Sequence, residues 1–267
     1  MTNDQQMKFI GIDLGWSSGA SGLCCLEWER EGLRLLDLGR ETEMEEILKW
    51  VDRMVPEGEA GMVAVDAPTI IPNATGMRVA DKLTHKYFGR YHAGCYPASL
   101  QSKFAQRTVG LGKSLEARGF AHGAEMVPKK RDRYQIEVFP HPATINLFKL
   151  ERILKYKKGK LAQRRLELMK LRQYMVEILP GLSPSLGLSE GFWICGDSSE
   201  VFNGKVKGYS GKELKAVEDQ LDALLCAYIG AYWWYWGSDR NQVLGDRSIG
   251  YIVIPIAQME TGQNGNG

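Results

Sequence analysis

The N-terminal quarter of the chain alternates compact apolar runs with polar, glycine-containing breaks. Lys8 to Leu14 (KFIGIDL) is an apolar run that ends at an acid and a glycine, the pattern of a buried strand entering a tight turn. Leu23 to Trp28 and Leu33 to Leu38 are two further strand-length runs separated by EREG, a polar turn, so the first three strands are expected to form an antiparallel meander. The period then changes. Met44, Ile47, Leu48, Val51 and Val55 recur at helical spacing up to Pro56, with Thr42 as the expected N-cap and Glu45 three residues on. Gly61 to Asp66 (GMVAVD) returns to a short apolar run stopped by an acid and then Ala67 and Pro68, which predicts a buried parallel strand.

Three strands, a helix and a fourth strand in this order predict an α/β fold that opens as an RNase H-like mixed sheet, with three antiparallel strands followed by parallel ones and helices on its flanks. Gln135 to Phe139 (QIEVF) reads as a later strand stopped by the prolines of PHP. Lys212 to Trp236 reads as a long apolar helix and Tyr251 to Ile256 as a final strand of the core. One domain is expected, with its core over about 7–73, 134–147 and 211–256 and insertions over about 74–133 and 148–210 that are rich in helix formers and basic residues. The Gly- and Asn-rich tail, about 258–267, is expected to be disordered, and no internal repeat is found.

Composition narrows the class. With 267 residues, 44% hydrophobic and 25% charged, the chain is an ordinary globular protein, which excludes collagen, coiled coil and wholesale disorder. That length supports a core without disulfide or metal staples. Cys24, Cys25, Cys95, Cys195 and Cys226 form no CxxC pattern and mostly lie in apolar runs, so they read as core thiols in a reducing compartment. The polar N-terminus MTNDQQMK does not resemble a secretory signal, and no run reaches the roughly 18 apolar residues of a membrane span. A cytoplasmic location without membrane association is expected, and homo-oligomerisation is left open.

The positions of the acids carry the most information about chemistry. Asp13 closes the first strand, Asp66 closes the fourth, and Asp219 and Asp222 stand three apart on one face of the long helix. Asp222 lies between Leu221 and Leu224 on the packed side, where an uncompensated charge costs several kcal/mol. Such acids need a cation, a basic residue or backbone donors. Converging carboxylates offer oxygen-only ligands suited to Mg²⁺ or Mn²⁺, and a pair of such ions can assist in-line phosphoryl displacement by water. The structural alternative stays open: each acid can instead bond turn amides, cap a helix or pair with Lys or Arg.

GIDLGW at Gly11 to Trp16, AVDAP at Ala64 to Pro68, RVAD at Arg78 to Asp81, EVFPHPA at Glu137 to Ala143 and DQLDALLCAY at Asp219 to Tyr228 resemble successive blocks of the domain-of-unknown-function 429 family. That family is predicted to consist of RNase H-like nucleases. The late DxxDA block is also similar to the Holliday-junction resolvase branch of the superfamily, in which a helix supplies two metal-binding acids. The resemblance implies a shared acidic centre at Asp13, Asp66, Asp219 and Asp222.

Other residues rank lower. Glu137 alternates with Ile136 and Val138 and faces either the site or a buried arginine. His141, between two prolines, is a candidate for moving protons or positioning water, with a rigid structural corner as the competing reading. Arg78 and Asp81 are a phosphate contact with its orienting acid, or a local ion pair at a helix start. Asp197, before two serines, reads as a cap or turn former. From Lys149 to Arg172 the chain is strongly basic, and Lys157, Lys158, Arg164 and Arg165 are its expected backbone contacts to DNA or RNA, against the alternative of a solvated helix face. The YWWYW run at Tyr232 to Trp236 is expected in the core rather than stacked on bases.

Three functions compete. The first is a metal-dependent nuclease or phosphodiesterase using one or two Mg²⁺ or Mn²⁺ ions. The second is an actin-like or sugar-kinase-like ATP phosphotransferase, suggested by GIDLGWSSG but weakened by room for only one core and by the missing glycine in AVDAP. The third is a catalytically idle nucleic-acid-binding module, whose sign would be acids neutralised by Lys or Arg.

Overall fold

The computed structural model of the chain describes residues 6–17, 19–188 and 205–256. Cys195, Asp197, the tail and part of the second insertion lie outside the described residues. Strands β1 (Lys8–Asp13), β2 (Ser21–Glu29) and β3 (Gly32–Glu41) form the expected antiparallel meander. Helix α1 (Met44–Met54) follows, and β4 (Gly61–Val65) returns parallel to β1, with Ile10 opposite Val63. Thr42 is not the N-cap of α1. Glu43 holds that position without a side-chain cap, so the helix end relies on Glu45 and Glu46 beside its positive pole and on burial of Ile47, Leu48, Trp50 and Val51.

The first insertion folds as α2 (Val79–Phe88), α3 (Ala105–Glu116) and the edge strand β5 (Ala121–His122). Strand β6 (Arg133–Glu137) pairs parallel with β4. The PHP segment is no loop corner: Pro140 opens helix α4 (Pro140–Leu147), where its missing N–H costs nothing and its fixed φ suits the first turn. The second insertion holds α5 (Leu161–Ile178) and a short strand β7 (Ser185–Leu186). Helix α6 (Gly211–Trp236) begins with a Ser210–Glu213 capping box and ends at Gly237, whose φ is +53°.

The seven-stranded sheet runs β5-β6-β4-β1-β2-β3-β7, antiparallel within β1–β3 and parallel elsewhere, an order consistent with an RNase H-like fold. The expected last strand departs from this plan. β9 (Gly250–Pro255) pairs with β8 (Asn241–Asp246) in a separate hairpin and meets the main sheet through a single bridge, Val138 to Val253. β8 reads NQVLGD, too polar and interrupted to register as a strand from its pattern. Its apolar Leu244 joins Ile252 and Ile254 against Ala80 and Phe88 of α2 and Ile145 of α4.

Strand alternation divides the core into two layers. Phe9, Cys24, Leu26, Met62, Ala64, Ile136 and Val138 pack with α6 on one face. Ile10, Ile12, Leu23, Val63 and Val65 pack with α1 and α3 on the other. Because α6 is apolar on nearly every side, it is buried along most of its length. Tyr232, Trp233 and Trp234 are buried there as expected, with the indole N–H groups of Trp233 and Trp234 donating to the carbonyls of Gly123 and Lys130 at 2.8 and 2.9 Å. Among the described residues, no helix is long and apolar enough to cross a membrane.

Two glycines let α6 sit directly on the strands. A Cβ at Gly11 would lie 1.8 Å from the Ala223 carbonyl oxygen, and one at Gly22 would lie 1.8 Å from that of Asp219. Both neighbours are helix backbone and cannot yield by a rotamer change. Gly22→Ala should therefore destabilise the fold by about 3 kcal/mol or more through overpacking, measurable as a lower midpoint in denaturant unfolding. An unchanged midpoint would refute this seating of the helix.

Candidate active site

Period-two alternation sends Asp13 to the same face of β1 as Phe9 and Gly11, the face that carries α6. Asp66 follows the end of β4, hydrogen-bonded through its N–H to the Ile12 carbonyl at 2.9 Å, and so stands beside Asp13. Asp222 projects from the middle of α6 toward both. The three carboxylates converge on one cation, the ammonium of Lys157, in the segment between α4 and α5. Its Nζ lies 2.8 Å from Asp222 Oδ2, 3.8 Å from Asp13 Oδ1 and 3.9 Å from Asp66 Oδ2. The neighbouring Tyr156 hydroxyl donates to Asp222 Oδ1 at 2.7 Å and fixes that carboxylate.

One ammonium does not balance three carboxylates. Burial pushes the Asp13 carboxyl well above its ordinary range, Lys157 pulls it back, and Asp222 and Asp66 push it up again. Burial likewise raises Asp66 to about 6 against the pull of Lys157. For Lys157 burial acts downward, but Asp13, Asp222, Tyr156 and Asp66 outweigh it and hold the ammonium well above the usual lysine range. Asp222 Oδ2 is fully buried and has no hydrogen bond, its 2.8 Å approach to Nζ being an ion pair without hydrogen-bond alignment. Lys215, on the wall of the same cleft, also pulls Asp13 and Asp66 down from farther away, so the three carboxylates share one close ammonium and one distant one.

Asp219 does not join this trio. One turn before Asp222, it abuts β2 and pairs with Arg40 Nε of β3 at 3.0 Å and Lys215 Nζ at 2.6 Å. Lys215 stands four residues before it on α6, a pairing that the helical repeat makes legible, whereas Arg40 arrives from a strand far away in sequence. Glu137 borders the same cleft as Asp13 and Asp66, and burial raises its carboxyl to about 7 against the pull of Arg78, but its close partner is that arginine and not the Lys157 ammonium. Alternation on β6 puts Ile136 and Val138 under α6 and Glu137 on the opposite side, where Arg78 grips it with two contacts of 2.6 and 2.7 Å. Arg78 further bonds Asp81 Oδ1 at 2.8 Å, and Asp81 accepts the N–H of Ala98 at 2.9 Å. Arg78 lies at the wall of the same cleft but is 3% exposed, and its guanidinium is engaged by Glu137, Asp81 and the Ile70 carbonyl, as a buried structural cation would be.

The expected phosphate contacts are similarly reassigned. Arg164 donates to the Tyr156 carbonyl at 2.9 Å and lies 3.3 Å from Glu218, and Arg165 donates to the Tyr209 carbonyl. Both stabilise the fold around Tyr156 and α6. Lys157 lies in the acidic centre, leaving Lys158 as the solvent-facing member of the four, with its Nζ 3.4 Å from the Tyr96 hydroxyl. His141 lies beside Tyr156, ring centroids 5.7 Å apart, and is held neutral: burial, then Lys157, lower it to about 4 against the opposing pull of Asp222. Asp13, Asp66, His141 and Lys157 line one cleft of about 770 Å³, together with Trp16 and Tyr96.

The family model described as "Protein of unknown function (DUF429)" matches residues 11–247, a span that takes in every acid of the cluster. The chain belongs to the DUF429 family. No curated protein and no solved structure matches it. In this DUF429 protein, Cys24, Cys25 and Cys226 are buried free thiols, and Cys95 is a half-buried free thiol that lines the same cleft.

Removing the Arg78 guanidinium would strand Asp81 and Glu137 in the interior, so Arg78→Met should cost about 3–5 kcal/mol of stability in denaturant unfolding. A loss comparable to that of an exposed pair would overturn its structural role. A separate prediction concerns pH. The folded-state pKa of His141 is depressed below its unfolded value near 6.5, so between about 4 and 6.5 this residue by itself lowers stability as pH falls, whereas the raised carboxyls of Asp13, Asp66 and Glu137 act in the opposite direction. His141→Gln should therefore raise the thermal midpoint near pH 4.5 relative to that near pH 7.5, compared with the wild type, while His122, which burial also lowers, and the three carboxyls act alike in both proteins. An identical pH dependence in the variant would remove His141 as a contributor.

Proposed function

We propose that this chain is a metal-dependent phosphodiesterase that hydrolyses nucleic acid. The observation that supports it is the convergence of Asp13, Asp66 and Asp222, from two adjacent parallel strands and the helix packed on them, around a single cation position. The three carboxylates have one ammonium in their midst, and burial raises Asp13 and Asp66 in spite of it. In its chemistry that oxygen-only donor set suits a hard divalent ion such as Mg²⁺ or Mn²⁺, although among the described residues no group of three is arranged, as placed here, to hold one. Asp13, Asp66 and Asp222 would hold it, and a bound ion would supply Lewis acidity to the phosphoryl oxygens and to an attacking water. Tyr156 keeps Asp222 oriented, and neutral His141 offers a proton acceptor on the wall of the same cleft. An ion held by these carboxylates would take the place of the Lys157 ammonium, whose charge would then be available to a phosphate group.

A second reading is supported by Lys157 itself. An ammonium 2.8 Å from Asp222 is what a catalytically idle nucleic-acid-binding module would keep at this position. The two readings separate in one experiment, Mn²⁺ titration followed by calorimetry together with hydrolysis of labelled DNA and RNA. The nuclease reading expects Mn²⁺ binding, tightened in Lys157→Met by removal of the competing cation. It also expects at least a hundredfold or so loss of metal affinity or cleavage in Asp13→Asn and Asp222→Asn. Absence of Mn²⁺ binding in both the wild type and Lys157→Met would overturn it in favour of the idle module.

A further inference from the structure

The cleft that holds the carboxylates also has an aromatic wall. Trp16, three residues after Asp13, is 42% exposed, and Tyr96 is 63% exposed, unusual for large rings on a surface where other apolar exposure is scattered. The two rings meet edge to face with centroids 5.4 Å apart, and Phe104 backs Trp16 at 4.5 Å. Their support is fixed. Arg107 of α3 donates to the Gly15 carbonyl at 2.9 Å and the Thr42 carbonyl at 2.7 Å, and the Gly15 N–H donates to Ser21 Oγ at 3.0 Å. This anchors the backbone that carries Trp16, so its ring is presented to solvent by a braced turn.

Positive charge lies directly beside the rings. Lys158 Nζ stands 5.3 Å from the Tyr96 ring centroid, and Lys155 and Lys158 line both this cleft and a second one of about 840 Å³ that runs along α5 past Gln163 and Lys170. Lys155 and Lys158 thus stand on the shared wall of two adjoining clefts, one holding the carboxylates and rings and the other running along α5. Rings accept bases by stacking only where a base face is free, and in a duplex each face is already covered by its neighbours. Lysines spaced along the same groove suit a flexible phosphodiester backbone.

We infer that the Trp16–Tyr96 wall and the Lys155–Lys158 groove form a binding site for unpaired nucleotides, so that the ligand of this cleft is single-stranded nucleic acid. The inference rests on the nucleic-acid reading of the same site and adds the strand state of the substrate. Trp16 and Tyr96 are specificity-determining residues, and neither bonds to the carboxylate centre.

The test is fluorescence anisotropy with labelled oligodeoxythymidine, oligouridine and a blunt DNA duplex, each of about 15 nucleotides per strand to exceed one site. EDTA is included so that binding is read without hydrolysis. One of the single strands should bind more tightly than the duplex, the better one naming the sugar. Trp16→Ala and Tyr96→Ala should each weaken that binding about fivefold to a hundredfold, with Trp16→Phe retaining most of it. Both rings are exposed, so the variants should keep the wild-type thermal midpoint. Equal binding of duplex and single strand, ring variants within twofold of wild type, or no binding at all would overturn the inference. Ring-dependent single-strand binding without any metal-dependent hydrolysis would leave it standing while removing the phosphodiesterase. Hydrolysis of duplex unaffected by loss of the rings would do the reverse.

Discussion

The contact between α6 and the β1–β2 pair governs most of what this structure can do. At Gly11 and Gly22 the helix backbone comes so close to the strands that a methyl group would collide with the carbonyls of Ala223 and Asp219. This seating leaves α6 little freedom to rotate or slide, because the register of β1 on β2, with Asp13 opposite Gly22, fixes both glycines at once. Asp222, one turn beyond Asp219, is thereby brought to the carboxyl end of β1 and β4. A helix held farther away by ordinary side-chain packing would leave Asp222 short of Asp13 and Asp66.

Placing three carboxylates in so confined a space has consequences for their surroundings. Each charge is partly compensated, but by partners with different commitments. Asp219 is held between Arg40 and Lys215, and Glu137 and Asp81 share Arg78, arrangements with short contacts on both sides. Asp13 and Asp66 lie farther from the single ammonium they share, and burial raises both carboxyls. Burial raises Glu137 as well, to about 7, so the difference between the groups is geometric: Asp219, Asp81 and Glu137 each have a cation within 3 Å, whereas Asp13 and Asp66 stand 3.8 and 3.9 Å from theirs. The looser pair, Asp13 and Asp66, is the one the proposed function uses, since perturbed buried carboxyls cluster at functional sites.

The same division orders the basic residues. Arg164 and Arg165 are drawn inward to carbonyls and to Glu218, which braces Tyr156 and through it Asp222. Lys155 and Lys158 remain outside, on the rim between two clefts and next to exposed rings. A basic run along the chain thus becomes, in three dimensions, one inner support, one cation within the acidic centre and one outer groove.

Local sequence determined the elements whose signals are local. The apolar runs ended by Asp13 and Asp66, the helical repeat after Thr42 and the apolar length of α6 specify β1, β4, α1 and α6, and their order specifies the mixed sheet, because short-range periodicity and steric preference act within each segment. The family resemblance carried the same acids. Alternation along β1 also put Asp13 on the side of α6. What sequence could not decide was which partners meet. Spacing on a helix leaves Asp219 and Asp222 equally eligible, and only the distance of each from β1, β3 and Lys157 assigns one to Arg40 and Lys215 and the other to the trio. Arg78 with Glu137, Lys157 with three acids, Trp16 with Tyr96, and β8 with β9 are likewise decided by packing between separate segments. Ion pairs and ring contacts form across space at a few ångströms, and the chain separation of their members carries no record of it.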